Sequence, residues 1–358
     1  MANSRSDLLY GLDDKPPLHA AILAALQHML ASFVGIITPT LIIGGVLGLG
    51  AEIPYLISMA LIVSGVGTFI QAKRVGPIGS GLMALQGTSF AFLGSILAAG
   101  FIAKAKGGGP EEILSLIFGV CFLGAFIEIF LSQFLHKLKT FINPLVTGIV
   151  ITTIGFYLIK VGMTDLAGGF KAPDFGSIEN LYLGGGVLIL IIILNQSQNP
   201  LIRAGAIFFG MMAGMIAAYA LGKIDLLKLI TMDWLAVLMP FKYGFSFAMG
   251  KVDFSKLATI DWFALPLPFQ YGFSFDIEAF IPVALIYLVT VIESAGDLTA
   301  TSMVSKQPIS GPTYDSRIKG GVLADGFNSM LASIFNTFPN TTFSQNNGVI
   351  QLTGIASR

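Results

Sequence analysis

The chain has 358 residues, of which 54% are hydrophobic and 11% are charged, and its formal net charge is +0. Soluble domains carry roughly 25% charged residues, so this composition is typical of a membrane protein. The balanced charge and the absence of basic blocks exclude the electrostatic footprint of a nucleic-acid-binding protein. The single cysteine, Cys121, excludes an intrachain disulfide and is expected to pack inside an apolar helix.

Apolar runs long enough to cross a bilayer recur from residue 17 almost to the last residue. They predict an all-α polytopic membrane protein with about ten segments. The N-terminal residues lack the pattern of a cleaved signal peptide, so the first helix is expected to remain as an anchor. In chain order, the predicted helices lie near residues 18–46, 54–72, 112–135, 141–161, 181–196, 201–221, 279–299 and 317–336, and short interrupted elements lie near 81–100 and 340–354.

The distribution of basic residues predicts the orientation of the chain. Lys and Arg accumulate in short cytoplasmic loops, whereas long loops carry little information about orientation. More basic residues fall in the short inner loops when the N-terminus is placed in the cytoplasm. The sequence therefore predicts a multi-pass protein with a cytoplasmic N-terminus.

The long loop after the seventh predicted helix contains a near repeat. The sequence Ala220–Phe247 is followed directly by a similar sequence, Ala248–Phe275. A solenoid needs roughly three or more repeats to be stable. A long surface insertion costs little closure entropy, so we interpret the pair as a tandem duplication in a surface loop.

Two short elements with Gly or Pro breaks resemble each other. The first is "VGPIGSGLMALQGTSFAFLG" (Val75–Gly94), and the second is "FPNTTFSQNNGVIQLTG" (Phe338–Gly354). Both contain small hydroxyl residues followed by Phe. Paired interrupted segments in the two halves of a transporter indicate a binding site at the bilayer midplane, where helix starts offer free N–H groups. The alternative is an ordinary polar re-entrant loop or helix contact.

Acidic residues within predicted helices form the second candidate feature. Glu293 and Asp297 are four residues apart, so they lie on one helix face. A carboxylate inside a membrane helix costs about 2.5–3.5 kcal/mol on insertion scales and usually faces a cavity or a partner. The alternative places both at a wet helix end. The same reasoning applies to Asp325 and His28, although a lone His is commonly a packing residue, and Glu128 stays unassigned.

These groups together predict the kind of solute. A carboxylate accepts N–H donors, and a Gln side chain presents one acceptor and two donors to a flat amide-like edge. Phe90 or Phe343 could lie against a ring face. The sequence therefore favours a neutral heteroaromatic ring with N–H and C=O groups over a nucleotide, because clustered Arg or Lys for phosphate is lacking. A protonatable acid in the membrane also provides a means of proton coupling.

Five further stretches form a recognisable set: "QNNGVIQLTG" (Gln345–Gly354), "ESAGD", "GGVLADG", "LQHMLASFVGIITP" and "KVGMTDLAGGF". With these motifs the chain resembles the nucleobase–ascorbate transporter family (nucleobase:cation symporter-2), especially its bacterial xanthine and urate permease branch. The resemblance implies two inverted seven-helix repeats arranged as a core and a gate domain. It also implies a homodimer in the bacterial inner membrane that imports a purine nucleobase with a proton and uses no other cofactor.

The resemblance also implies roles for individual residues. Glu293 and Gln345 would bind two edges of the base, and Phe90 would supply a backbone N–H and a ring contact, with Ser89 and Ser344 beside them. Ser89 stands where xanthine-selective relatives tend to carry Asn, which leaves xanthine, urate and a wider purine range open. Support of the site or its proton linkage is implied for Asp297, Asp325, His28 and Asn346. The signature positions are Gln345, Asn346, Gly348, Thr353 and Gly354.

The resemblance further implies a domain organisation. Residues 1–135 and 279–358 would form the two halves of the core, 136–222 would supply gate helices, and 223–278 would be the extracytoplasmic loop. The family has about fourteen helices, so the chain is expected to be C-terminally shortened and could bind purine without transporting it. Two other classes stay open: a membrane-embedded enzyme using Glu293, Asp297 and Asp325 as acid–base or metal groups, and an anion transporter of the same architecture.

Overall fold

The computed structural model of the chain describes residues 8–135, 174–197, 206–222 and 267–358, together with residues 159, 162–164, 166–168 and 202. These four ranges contain nine α-helices and one two-stranded sheet, which confirms the predicted all-α fold with short strands in both interrupted elements. The elements are α1 (Leu18–Leu47), α2 (Ile53–Lys73), β1 (Gln86–Thr88), α3 (Leu93–Ala105), α4 (Pro110–Gln133), α5 (Ile178–Asn195), α6 (Ala206–Ala220), α7 (Ile277–Val304), α8 (Pro312–Ile334), β2 (Asn340–Thr342) and α9 (Gln345–Thr353).

Five of the described helices, α1, α2, α4, α5 and α7, are long and apolar enough to cross a bilayer. This finding confirms a polytopic membrane protein. The predicted helix near 141–161, apart from residue 159, lies outside the described residues, and so do residues 223–266 of the repeated loop.

Two helices extend beyond the limits that apolar runs indicate. Helix α7 continues to Val304, and in its last turns the hydroxyls of Thr301 and Ser302 donate to the carbonyls of Asp297 and Leu298, at 2.8 and 2.9 Å. Such bonds satisfy polar side chains inside a helix. Helix α8 begins earlier than predicted, at Pro312, because a first-turn proline lacks an N–H that the helix could not bond in any case.

The described residues of 8–135 and 267–358 belong to one compact unit, and those between 159 and 222 belong to a second. In the first unit, α4 packs against α3, α7 and α8. The core at this junction contains the buried aromatic residues Phe92, Phe118, Tyr287 and Phe338. In the second unit, α5 packs on α6, and a Cβ at Gly210 would lie 2.2 Å from Ile191. The glycine therefore allows these two helices a close approach.

The two interrupted elements pair with each other. Strands β1 and β2 are antiparallel, with Gln86 opposite Thr342 and Thr88 opposite Asn340. A short 3₁₀ turn, Phe90–Phe92, connects β1 to α3, whereas α9 follows β2 after a two-residue connection. Two segments about 250 residues apart in the sequence thus build one small sheet within the first unit.

The second copy of the repeated loop leads into α7 and contacts the first unit. The backbone N–H of Ser274 donates to the carbonyl of Ser115 at 3.1 Å, and the Tyr271 hydroxyl donates to Glu52. Asp276 caps the start of α7 by accepting from the N–H of Glu278 at 2.8 Å, and it also pairs with Lys106. The loop residues 267–276 are thereby anchored to this unit.

Candidate functional site

The site is built around the starts of two short helical segments. Ser89 and Ser344 precede the 3₁₀ turn and α9, and neither serine uses its side chain as a cap. The first N–H groups of a helix have no acceptor within that helix, and the N-terminal end carries partial positive charge. The start of α9 therefore offers backbone donor groups suited to the carbonyl oxygens of a solute.

Glu293 occupies a buried position on α7. Its side chain is 7% exposed, and Oε2 has no hydrogen-bond partner among the described residues. Helix α7 contacts the 3₁₀ turn, β2 and α9. A buried carboxyl oxygen without a donor is costly unless a ligand or a proton satisfies it. Its burial also places Glu293 inside the protein rather than at a wet helix end.

The hydroxyls at the end of β1 show the same feature. Ser89 is 2% exposed, and its Oγ has no partner within the described part of the chain; the same holds for Thr88 Oγ1. Phe90 follows directly and is partly buried. Buried hydroxyls usually find partners, so these oxygens offer additional polar contacts to a solute at the start of the 3₁₀ turn.

Gln345 lies against the backbone of α1. A Cβ at Gly35 would stand 3.1 Å from Gln345 Nε2 and 3.2 Å from the Phe343 ring. A larger residue at Gly35 would therefore displace the amide or the ring. Sequence reasoning missed Gly35, although a glycine in the middle of an apolar helix often marks a close approach.

Asp325 on α8 is the centre of a buried network. Its carboxylate accepts from Gln86 Nε2 at 2.7 Å, from the Thr342 hydroxyl at 3.0 Å and from the Thr342 N–H at 3.1 Å. Ser294 Oγ also donates to it, and Gln71 Nε2 lies at 3.5 Å. The network joins α2, β1, α7, α8 and β2, so Asp325 holds together the elements that carry the candidate binding residues.

The network includes residues that sequence reasoning did not select. Gln71 and Gln86 both donate to Thr342 Oγ1, at 3.2 and 2.9 Å. Asn328 donates to Gln86 Oε1 at 3.3 Å. A buried Gln in an apolar helix is a detectable signal, because a buried amide requires several partners. Gln71 in α2 could have been singled out on this ground.

The other sequence-predicted residues surround α9. His28 Nδ1 lies 3.5 Å from Asn346 Oδ1, which connects α1 to α9. Thr301 donates to Asn347 Oδ1 at 2.8 Å, which connects α7 to α9. Asp297 is buried one turn beyond Glu293. These contacts place His28 and Asn346 side by side.

The signature positions span α9 and its end. Gln345 begins the helix, Thr353 ends it, and Gly354 follows with φ of 68°, a left-handed conformation that favours glycine. The carbonyl of Gly354 accepts from the N–H groups of Leu9 and Tyr10, at 2.8 and 3.1 Å. A Cβ at Gly348 would meet no atom within 4 Å. The signature therefore also includes a contact with the N-terminal segment.

Comparison with known proteins identifies the family. A family model described as "Permease family" matches residues 19–247 and 243–358. The chain is 44% identical over 357 residues to the xanthine permease XanQ of Escherichia coli K12, an alignment that covers 99% of this chain and 71% of XanQ. The chain belongs to the nucleobase–ascorbate transporter family.

Other members of the nucleobase–ascorbate transporter family are similarly related. The xanthine permease XanP of Escherichia coli K12 is 42% identical over 358 residues, covering 99% of this chain and 71% of XanP. The nucleobase transporter PlUacP of Paenibacillus larvae is 34% identical over 334 residues, covering 93% of this chain and 68% of PlUacP. Membership in a permease family confirms a transporter rather than an enzyme.

The two stretches matched by the family model overlap at residues 243–247, which read "YGFSF". The same five letters recur at Tyr271–Phe275, in the second copy of the repeated loop. The overlap therefore coincides with the duplication.

Proposed function

We propose that this chain binds a purine nucleobase between its two interrupted elements and moves it across the bacterial inner membrane together with a proton. The buried Glu293 carboxyl carries the proposal. It lies on a helix that contacts the 3₁₀ turn, β2 and α9, and its Oε2 needs a donor. A purine ring edge presents N–H donors to a carboxylate and carbonyl oxygens to backbone N–H groups.

In this proposal different side chains contact different parts of the purine ring. Glu293 and Gln345 bind opposite polar edges, Phe90 contacts the ring, and Ser89 and Ser344 lie beside it. The names of the xanthine permeases XanQ and XanP favour xanthine as the first purine to test. The unpartnered hydroxyl of Ser89 could instead accept a wider range of purines.

The same proposal covers the arrangement of the whole chain. Residues 1–135 and 279–358 form a core domain, 136–222 contribute to a gate domain, and 223–278 form an extracytoplasmic loop. The division of the described residues into two compact units supports this separation. We further propose a cytoplasmic N-terminus and a homodimer.

A binding assay tests the proposal without requiring transport. Purified protein is incubated with labelled xanthine, and unlabelled xanthine, urate and uracil compete for it. We expect Glu293→Gln to lose high-affinity binding with an unchanged amount of protein in the membrane. Glu278→Gln is the matched control, because Glu278 is an exposed acid on the same helix.

The results separate the candidate functions. Retained xanthine binding in Glu293→Gln would remove Glu293 from the site. Binding without accumulation in proteoliposomes would show a purine-binding chain that does not transport by itself. Chemically altered purine after incubation would instead favour an acid–base enzyme in the membrane.

A further inference from the structure

Glu128 is a buried acid that the proposed site does not use. Its side chain, on α4, is 1% exposed, and neither carboxyl oxygen has a hydrogen-bond partner among the described residues. Few buried polar atoms are left without partners in folded proteins. Glu293 has one carboxyl oxygen without a partner, whereas both carboxyl oxygens of Glu128 lack one among the described residues. A buried acid of this kind in a transporter requires a chemical explanation.

The face of α4 that carries Glu128 packs against α7. Cys121, Gly124 and Glu128 are spaced by three and four residues, so they lie on one side of the helix. The Tyr287 hydroxyl donates to the Cys121 carbonyl at 2.9 Å, and a Cβ at Gly124 would lie 2.5 Å from the Tyr287 ring. Glu128 therefore continues this face by one turn, toward Thr290.

Helix α8 closes the other side of the same junction. A Cβ at Gly326 would lie 2.9 Å from the backbone nitrogen of Ile129, so the two backbones are very close where Asp325 and Glu128 precede these residues. Glu128 thus lies at the junction of α4, α7 and α8, next to the network that Asp325 organises.

Two acids act electrostatically on Glu128, namely Asp325 on α8 and Glu293 on α7. Tyr287 on α7 also faces this region, but its hydroxyl hydrogen goes to the Cys121 carbonyl. On α3, which also packs against α4, Lys104 lies in the last turn, with Nζ 3.6 Å from a Cβ at Gly48. Within the described residues, no cation faces Glu128.

Asp325 and Glu128 have opposite environments. At least three groups donate to Asp325, namely the Gln86 amide, the Ser294 hydroxyl and the Thr342 N–H, as suits an ionised carboxylate. Among the described residues, Glu128 has no donor within hydrogen-bonding distance, and the hydroxyl of its polar neighbour Thr290 donates to the Tyr287 carbonyl at 3.1 Å. Leaving an ionised carboxylate buried in this way costs several kcal/mol. The neutral acid satisfies the same position far better.

We propose that Glu128 is a proton-carrying carboxylic acid of the transporter and that Glu293 exchanges this proton with it. The O–H bond of Glu128 breaks and an O–H bond forms on Glu293 Oε2, so the number of protons in the pair is unchanged. Glu293 is the partner because Oε2 is an open acceptor, whereas the lone pairs of Asp325 are already engaged. This assignment rests on the proposed proton-coupled function.

Two measurements test the assignment, with Glu128→Gln as the variant and Glu111→Gln, an exposed acid on the same helix, as the matched control. Infrared spectra of the purified protein should show a C=O band of a protonated carboxyl that disappears in Glu128→Gln. In proteoliposomes, one coupled proton converts a pH difference of about one unit into roughly tenfold purine accumulation. We expect purine accumulation in Glu128→Gln to fall toward onefold, so that the inside and outside concentrations become equal, while exchange of purine continues. Glu128→Asp should restore accumulation.

Each outcome decides a different point. An unchanged infrared band in Glu128→Gln, or accumulation equal to the control with the same pH dependence, would overturn the assignment. Failure of the unmodified protein to bind any purine would refute the proposed function instead, and the infrared band would still report whether Glu128 holds a proton. If the Gln variant does not fold, the C=O band should shift in Glu128→Asp, and an unshifted band in that variant would overturn the assignment.

Discussion

Replacing Asp325 by Asn perturbs the structure where five elements meet. The amide group that replaces one carboxylate oxygen cannot accept hydrogen bonds, so donors now satisfied by that oxygen lose their acceptor. With the amide nitrogen in the position of Oδ2, these donors are the Ser294 hydroxyl and the Thr342 N–H. With the nitrogen in the position of Oδ1, they are the two glutamine amides.

The expected cost follows from these contacts. Each buried donor left without an acceptor costs about 1–3 kcal/mol, so two donors amount to roughly 2–6 kcal/mol. Folded proteins are stable by only about 5–15 kcal/mol. Since 1 kcal/mol shifts the melting temperature of a domain of 150–250 residues by about 2–4 °C, Asp325→Asn should lower it by at least about 4 °C.

The assay is thermal unfolding of detergent-solubilised protein, followed by the loss of the monodisperse peak in size-exclusion chromatography. Glu111→Gln is the control, because the exposed acid at the start of α4 should change stability by at most about 0.5–1 kcal/mol. A melting temperature for Asp325→Asn equal to that of the control would refute the bracing role. The variant should also weaken proton-driven accumulation, as a consequence of the displaced strands.

Two further predictions concern β1 and the start of α7. Gly87→Ala should disrupt purine binding, because its Cβ would lie 2.4 Å from the Phe343 ring. Gly94→Ala is the control, because a Cβ at Gly94 would meet no atom within 4 Å. Equal xanthine affinities of the two variants would contradict the prediction. A hydrogen bond from Lys106 lowers the pKa of Asp276 below its ordinary value. The stability that the pair contributes is therefore present at neutral pH, and it is lost as the pH falls through that lowered pKa. Asp276→Asn keeps the helix cap but should flatten the fall in melting temperature between about pH 5 and pH 2, whereas an unchanged slope would show that the ion pair contributes nothing.

The length of the apolar runs predicted most of the helices, whereas the exact helix ends depend on local turn chemistry. The runs near 18–46 and 54–72 agree closely with α1 and α2, because a membrane helix must be apolar over its whole span. Helix α8 contains Asp325 and many small polar residues, and it is not among the described helices apolar enough to qualify as a span. The sequence still predicts a helix near 317–336, as an apolar run between charged and Gly/Pro-rich breaks, and the structure has it at Pro312–Ile334.

The candidate site was predictable in its acids and its two interrupted elements, but not in its connections. Intramembrane carboxylates such as Glu293 are rare enough to be recognised from sequence alone. The pairing of Gln86 with Thr342 depends on the three-dimensional approach of two segments far apart in the chain. Glu128 shows the same limit, because its lack of donors becomes visible only when its neighbours are in place.

The pairing of β1 with β2 has a consequence for the synthesis of the protein. Gln86 and Thr342 are 256 residues apart. At roughly 5–20 residues per second, a ribosome takes on the order of ten seconds to one minute to make the intervening sequence. During that interval the backbone of β1 lacks its partner strand, and irregular backbone is not tolerated in contact with lipid. The nascent first half must therefore keep this strand shielded by its own helices or by the insertion machinery until the second half arrives.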